Sequence, residues 1–155
     1  MDTVPDDAGD LLPAQFAAAT AGDASALAFI RTEAEGGRAC ALYLWAHLAP
    51  AEAWHWCSTR PVPPHPHALE MAGCLLHWGT VGPRNDVGAL TQFWLAGKHT
   101  PSLASELERE RLLELVPGLR AFPREADLSI PIGMNQKISR TVWMIRDHWR
   151  GEDEQ

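Results

Sequence analysis

Apolar residues along this chain recur three and four positions apart and almost nowhere alternate with polar ones. Leu42, Trp45 and Leu48 keep that spacing, as do Leu69, Ala72 and Leu76. Met134, Ile138, Val142, Ile145 and Trp149 form its longest example. Such spacing stacks side chains on one face of a helix, whereas a half-buried strand needs a period of two. Breakers separate the periodic stretches at Gly36-Gly37, Pro61 to Pro66, Gly79 to Gly82 and Gly97 to His99. The pattern predicts helices near 13–20, 23–35, 38–48, 50–58, 66–78, 83–96, 101–115 and 134–150. Proline marks several starts: Pro50 precedes Glu52, Pro83 precedes Asp86, and Pro101 follows Thr100 as a cap and precedes Glu106. Proline suits the first helical position because its missing N–H would be unpaired there, and nearby acids suit the positive helix end. The expected fold is all-α, an irregular array or bundle of antiparallel helical hairpins with seven or eight helices.

One internal echo supports hairpins. Leu42, Trp45, Leu48, Ala49 and Pro50 recur 33 residues later as Leu75, Trp78, Val81, Gly82 and Pro83, so turns are expected near Ala49 and Gly82. The spacing resembles the tetratricopeptide repeat, but Pro50 and Pro83 interrupt what that repeat keeps helical, so membership does not follow. Trp45, Trp56, Trp78 and Trp94 sit in apolar segments near helix ends and are expected in the core. Phe122 to Gly133, with Pro123 and Ile130-Pro131-Ile132, reads as an extended segment lying across the helices. The expected organisation is a frayed acidic tail over 1–12, a single helical domain over 13–150 and an acidic tail over 151–155.

Composition narrows function more than fold. A chain of 155 residues can bury a core without a metal or disulfide staple. Its net charge of −7 opposes binding to phosphate backbones and to anionic membrane surfaces. No run approaches a transmembrane length, and Cys40, Cys57 and Cys74 read as reduced thiols, so a cytoplasmic protein is expected. Seven Trp residues are many, and imply wide helix contacts, an interaction surface, or both.

Candidate chemistry is sparse. His67, Glu70, Cys74 and His77 fall within a stripe of about 80° on one helix face and include plausible zinc ligands. Leu69, Ala72 and Leu76 oppose them, so the preferred reading is the solvated side of an amphipathic helix. Glu52-Ala-Trp-His55 has the spacing of a carboxylate-bridged di-iron pair, but the chain lacks the second such pair that chemistry needs. His55 and Cys57 point to different sides of their helix, and His65-Pro66-His67 reads as a stiff connector. No phosphate loop, nucleophile elbow or dinucleotide fingerprint occurs, and no cofactor is expected. On the last helix Trp143 is rotated well off the apolar seam, among Arg140, Arg146 and Arg150. Tryptophan and arginine together are the residues most enriched at interface hot spots.

The segment Leu48-Ala-Pro-Ala-Glu-Ala-Trp-His-Trp-Cys57 resembles that of a family of uncharacterised Ala-rich helical bacterial proteins associated with type VI secretion gene clusters. Leu48, Glu52, Ala53 and Trp56 carry the resemblance, with Trp78, Pro83 and Arg84 matching more loosely and Ala49 standing where a proline is usual. The resemblance implies an accessory or adaptor role and brings no catalytic residues. The expected function is thus a non-enzymatic protein–protein interaction module that binds a protein partner or itself. The alternatives are a small metal-binding protein or enzyme using the His67–His77 face, and a toxin-neutralising immunity protein.

Overall fold

The computed structural model describes residues 4–59, 66–97 and 106–153, with side chains over 11–59, 67–97 and 109–148. It is all-α: eight α-helices and one short 3-10 turn, with no strand among the described residues. The helices are α1 (Val4–Thr20), α2 (Ala24–Glu35), α3 (Ala39–Leu48), α4 (Pro50–Ser58), α5 (Pro66–Trp78), α6 (Asp86–Leu95), α7 (Glu106–Leu115) and α8 (Met134–Asp153). No helix among the described residues is long and apolar enough to cross a membrane.

The chain divides into two compact units. One comprises 1–53 and 102–121, the other 54–101 and 122–155. In the first, α3 is the centre: Ala41, Leu42, Tyr43, Leu44, Trp45 and Ala46 are all buried, so the helix is covered on every side. It packs against α2, α1 and α7. Asp23 caps α2 by accepting from the backbone N–H groups of Ser25 (2.9 Å) and Ala26 (3.2 Å). Glu52 ties the entry of α4 to this unit. It accepts from Trp45 Nε1 at 2.8 Å and from Arg31 Nε at 2.7 Å, which satisfies the indole of a buried tryptophan. The 119–121 segment is gripped by α3: Tyr43 donates to the Arg120 carbonyl, and the Arg120 N–H donates to His47 Nε2 at 2.8 Å.

In the second unit α6 packs against both α5 and α8, and α5 is buried from Ala68 to Leu75. The echo noted in sequence thus begins at a buried leucine in each unit, Leu42 in one and Leu75 in the other. Helices α5 and α6 form the hairpin expected around Gly82. Gly73 sets how closely they approach, since a Cβ there would lie 2.2 Å from Phe93 Cε1. Helix α8 packs on α6 through Ile138 and Val142.

Three expectations need correcting. No antiparallel hairpin forms at Ala49, because α4 is not among the packing partners of α3 and the single residue Ala49, at φ −143°, links them. Helical hairpins need loops of about two to five residues. Pro83 does not open α6, which starts at Asp86 under the Asn85 cap, whose Oδ1 accepts from Gly88 N–H at 2.8 Å. Helix α1 begins at Val4 and runs through Pro13, with Leu12 buried, and α8 continues to Asp153. Trp45 and Trp56 are in the core, but Trp78 and Trp94 are only half-buried. The expected Thr100 cap and Pro101 start lie outside the described residues.

Candidate functional site

Helix α8 has the most clearly divided faces in the chain. Its seam of Met134, Ile138, Val142 and Ile145 turns inward, and Ile138 and Val142 are buried. That seam uses up the apolar residues the core needs. Trp143 and Met144 are left outward, 60% and 67% exposed, and Ile132 just before the helix is fully exposed. These three apolar side chains share one groove of about 980 Å³ with Trp94, Asn135, Ser139 and Arg140. The Phe122–Gly133 segment supplies one wall through Ile132 and Gly133, yet does not fold over Trp143. Scattered exposed apolar residues are ordinary, but a contiguous set rimmed by polar groups marks an interaction surface.

The floor of the groove is held in place from α6. Trp94 Nε1 donates to Asn135 Oδ1 at 3.2 Å, joining the end of α6 to the first turn of α8. Trp94 is thus half-buried, not a core residue, and lines the groove beside this contact. A smaller recess of about 210 Å³ adjoins it, lined by Trp94, Ser139, Val142, Trp143 and Arg146. Arg146 Nη2 itself is shut off from solvent, so it does not open into the recess, and it has no hydrogen-bond partner among the described residues. A Cβ on Gly97 would lie 3.6 Å from that nitrogen, so the turn after α6 helps to cover it. Of the residues expected to form the interaction face, Trp143, Arg140 and Arg146 come together, while the side chain of Arg150 lies outside the described residues.

The wall containing Ile132 is anchored by a carboxylate that sequence reading passed over. Asp86, at the start of α6, is buried and accepts from three residues. Arg84 reaches it through Nη2 at 2.7 Å, His77 Nδ1 lies 2.8 Å away, and the Ser129 N–H donates at 2.7 Å. Arg84 also donates to the Asp127 carbonyl at 2.9 Å. Burial pushes the Asp86 carboxyl up, but the donors Arg84, Ser129 and His77 outweigh it and hold the group at about 2. The Phe122–Gly133 segment is therefore strapped to the α5–α6 hairpin through Ser129 and Asp127. The sequence signal was an Arg-x-Asp at a helix start, which reads as helix-end electrostatics until Ser129, 43 residues on, is seen to share it.

The His67, Glu70, Cys74 and His77 face is not the solvated surface expected. Glu70 and Cys74 have no exposed area, and His67 and His77 are half-buried. Helix α5 is enclosed by its neighbours, so its polar stripe lies inside with its apolar one. Burial, followed by the charge of Glu70, pushes the Cys74 thiol well above its ordinary range, which makes it a poor nucleophile. His77 is turned to Asp86, and no cluster of three His, Cys, Asp or Glu able to hold a metal ion occurs among the described residues. No disulfide joins Cys40, Cys57 and Cys74. His55 is exposed and Cys57 buried, on different sides of α4, and Glu52 of the Glu-x-x-His pair is occupied by Arg31 and Trp45. His65 lies outside the described residues. No family model matches the chain, and neither a curated protein nor a solved structure does.

Proposed function

We propose that this chain is a non-enzymatic protein-interaction module, an adaptor or accessory protein that docks a partner in the groove between α6 and α8. One observation carries the reading. The helix buries Ile138 and Val142, yet it turns Trp143 and Met144 outward beside Ile132, with Arg140 at the rim. Large apolar rings next to arginine are what interface centres use, because they bury much area at little entropic cost and add directional donors. The metal-binding or enzymatic alternative would use the His67, Glu70, Cys74 and His77 face, of which Glu70 and Cys74 are buried. The secretion-accessory setting, and the immunity-protein alternative, rest on the Leu48–Cys57 resemblance and on acidity respectively. In the structure the resembling residues serve packing: Ala53 and Trp56 are buried and Glu52 is bound to Trp45 and Arg31.

The test compares Trp143→Ala with wild type in two measurements. An exposed ring contributes little to folding, so the stability change should stay within about 0.5 kcal/mol. Recovery of partners from the native host, including self-association, should drop. Unchanged recovery of every partner, or a large loss of stability, returns Trp143 to a structural role.

A further inference from the structure

Resting on that interaction reading, we propose that the occupant of the groove is a second copy of this chain. The two copies meet through α8, antiparallel about a two-fold axis beside Trp143 and Met144, so that Arg140 of each copy faces Asp147 of the other.

The outward face of α8 is self-complementary. Arg140 stands three residues before Trp143, and Asp147 three residues after Met144. Seven residues are nearly two helical turns, so these two charges lie within about 20° of one another around the axis and about 10 Å apart along it. Trp143 and Met144 fall between them, about 50° to either side of that line. All four side chains are exposed, Trp143 at 60% and Met144 at 67%. Neither Arg140 nor Asp147 takes part in an ion pair among the described residues. A copy turned about an axis midway between Trp143 and Met144 sets Arg140 against Asp147 twice, since a two-fold interface repeats every contact. It also brings the four apolar side chains of the two copies together between those pairs. A parallel copy in register sets Arg140 against Arg140 and Asp147 against Asp147, which repels.

Two opposing effects set the strength of the contact. A net charge of −7 on each copy works against any self-association. Charges farther apart than about 8 Å are largely screened at physiological salt, however, whereas the facing pairs meet at short range. A face two helical turns long is small beside the about 1,200–2,000 Å² that stable interfaces bury. The dimer is therefore expected to be weak and to exchange with monomer. Placing opposite charges at equal distances from the apolar centre serves a second copy, whereas an unrelated partner would not require that symmetry.

Sedimentation of the full chain between about 1 µM and 1 mM reads the monomer–dimer equilibrium directly. Wild type is expected to dimerise reversibly, and Trp143→Ala to weaken the dimer by at least about tenfold. Arg140→Asp alone and Asp147→Arg alone should each weaken it by at least about tenfold, because symmetry turns both attractive pairs into repulsive ones. An equimolar mixture of those two variants should form a heterodimer, since each then supplies the charge the other lacks. Both reversals in one chain should restore the homodimer to within about threefold of wild type. The substituted residues are exposed, so the variants should fold, which their circular dichroism verifies. A wild type that stays monomeric throughout, or a dimer indifferent to Trp143→Ala, overturns the second-copy proposal and leaves the docking reading to the recovery of other partners. A dimer lost on Trp143→Ala but unmoved by either single reversal, or not restored by the double one, overturns the antiparallel pairing while the docking reading stands. A monomeric wild type whose Trp143→Ala variant also recovers every host partner overturns both.

Discussion

Replacing Gly73 by alanine sets two familiar effects against each other inside the α5–α6 hairpin. Alanine is the better helix former by about 1 kcal/mol, so propensity alone favours the substitution. The added Cβ, however, would lie 2.2, 2.6 and 2.8 Å from three ring carbons of Phe93. Carbon atoms prefer separations of about 3.5–4.0 Å. Phe93 is wholly buried and cannot swing into solvent, so the helices must part or the ring must leave its rotamer. Overpacking of this kind costs about 1–3 kcal/mol, and contacts this short belong at the upper end. The net loss is then about 2 kcal/mol. For a chain of this size each kcal/mol lowers the melting temperature by about 2–4 °C, giving a fall of about 4–8 °C. Thermal melts followed by circular dichroism, with urea titrations alongside, measure it. Gly36→Ala is the internal control: its φ is −75°, and a Cβ there meets only carbonyl oxygens at 3.5 Å. It should be neutral or stabilise by up to about 1 kcal/mol. Phe93→Leu combined with Gly73→Ala should cost less than the sum of the two single changes, since the clash is shared. A Gly73→Ala protein as stable as wild type, or more so, would refute the close-approach argument.

Two further predictions concern pH and the strap. Burial, above all, and the Arg120 charge push His47 below its ordinary 6.5, against the opposing pull of the Tyr43 carbonyl. The unfolded chain thus binds the proton more readily, so stability is full above about 6.5 and declines as pH falls from there toward the lower folded value. Urea titrations between about pH 5 and 8 should show this decline, and His47→Gln should flatten it. Asp86 runs the other way in type: its folded value of about 2 lies below the usual 3.8, so its contribution is present at neutral pH and is lost as pH falls from 3.8 through 2. Asp86→Asn should cost about 1–3 kcal/mol, as charged hydrogen bonds are lost, and should speed exchange of the Ser129 amide in particular. An unchanged Ser129 exchange rate would show that Asp86 does not hold the strap.

Helix positions in this chain were legible from local pattern, since periodicity, caps and breakers act over a few residues. The starts of α4 and α5 and the ends of α1 to α5 fall where the pattern put them, and the all-α fold follows from the same signal. The misreadings occurred where two local signals competed. Pro83 looked like a helix start, but the Asn85 side chain caps the first turn two residues later and wins. Trp143, Arg140 and Arg146 could be grouped in advance because one helix carries all three, and helical rotation is a local quantity.

What only the tertiary structure decided is which faces are covered. The His67–Cys74 stripe looked solvated because its own helix offers an apolar face opposite, yet α5 is enclosed and both faces are inside. Trp94 looked like core, but its exposure depends on how the end of α6 meets the start of α8 at Asn135. The Asp86 hub joins Arg84, His77 and Ser129 from three parts of the chain, and the unpartnered Arg146 Nη2 appears only once the turn at Gly97 covers it. Sequence sets the rotation of each side chain about its own helix axis, but burial is a property of the neighbours, and these are brought in by contacts far apart along the chain.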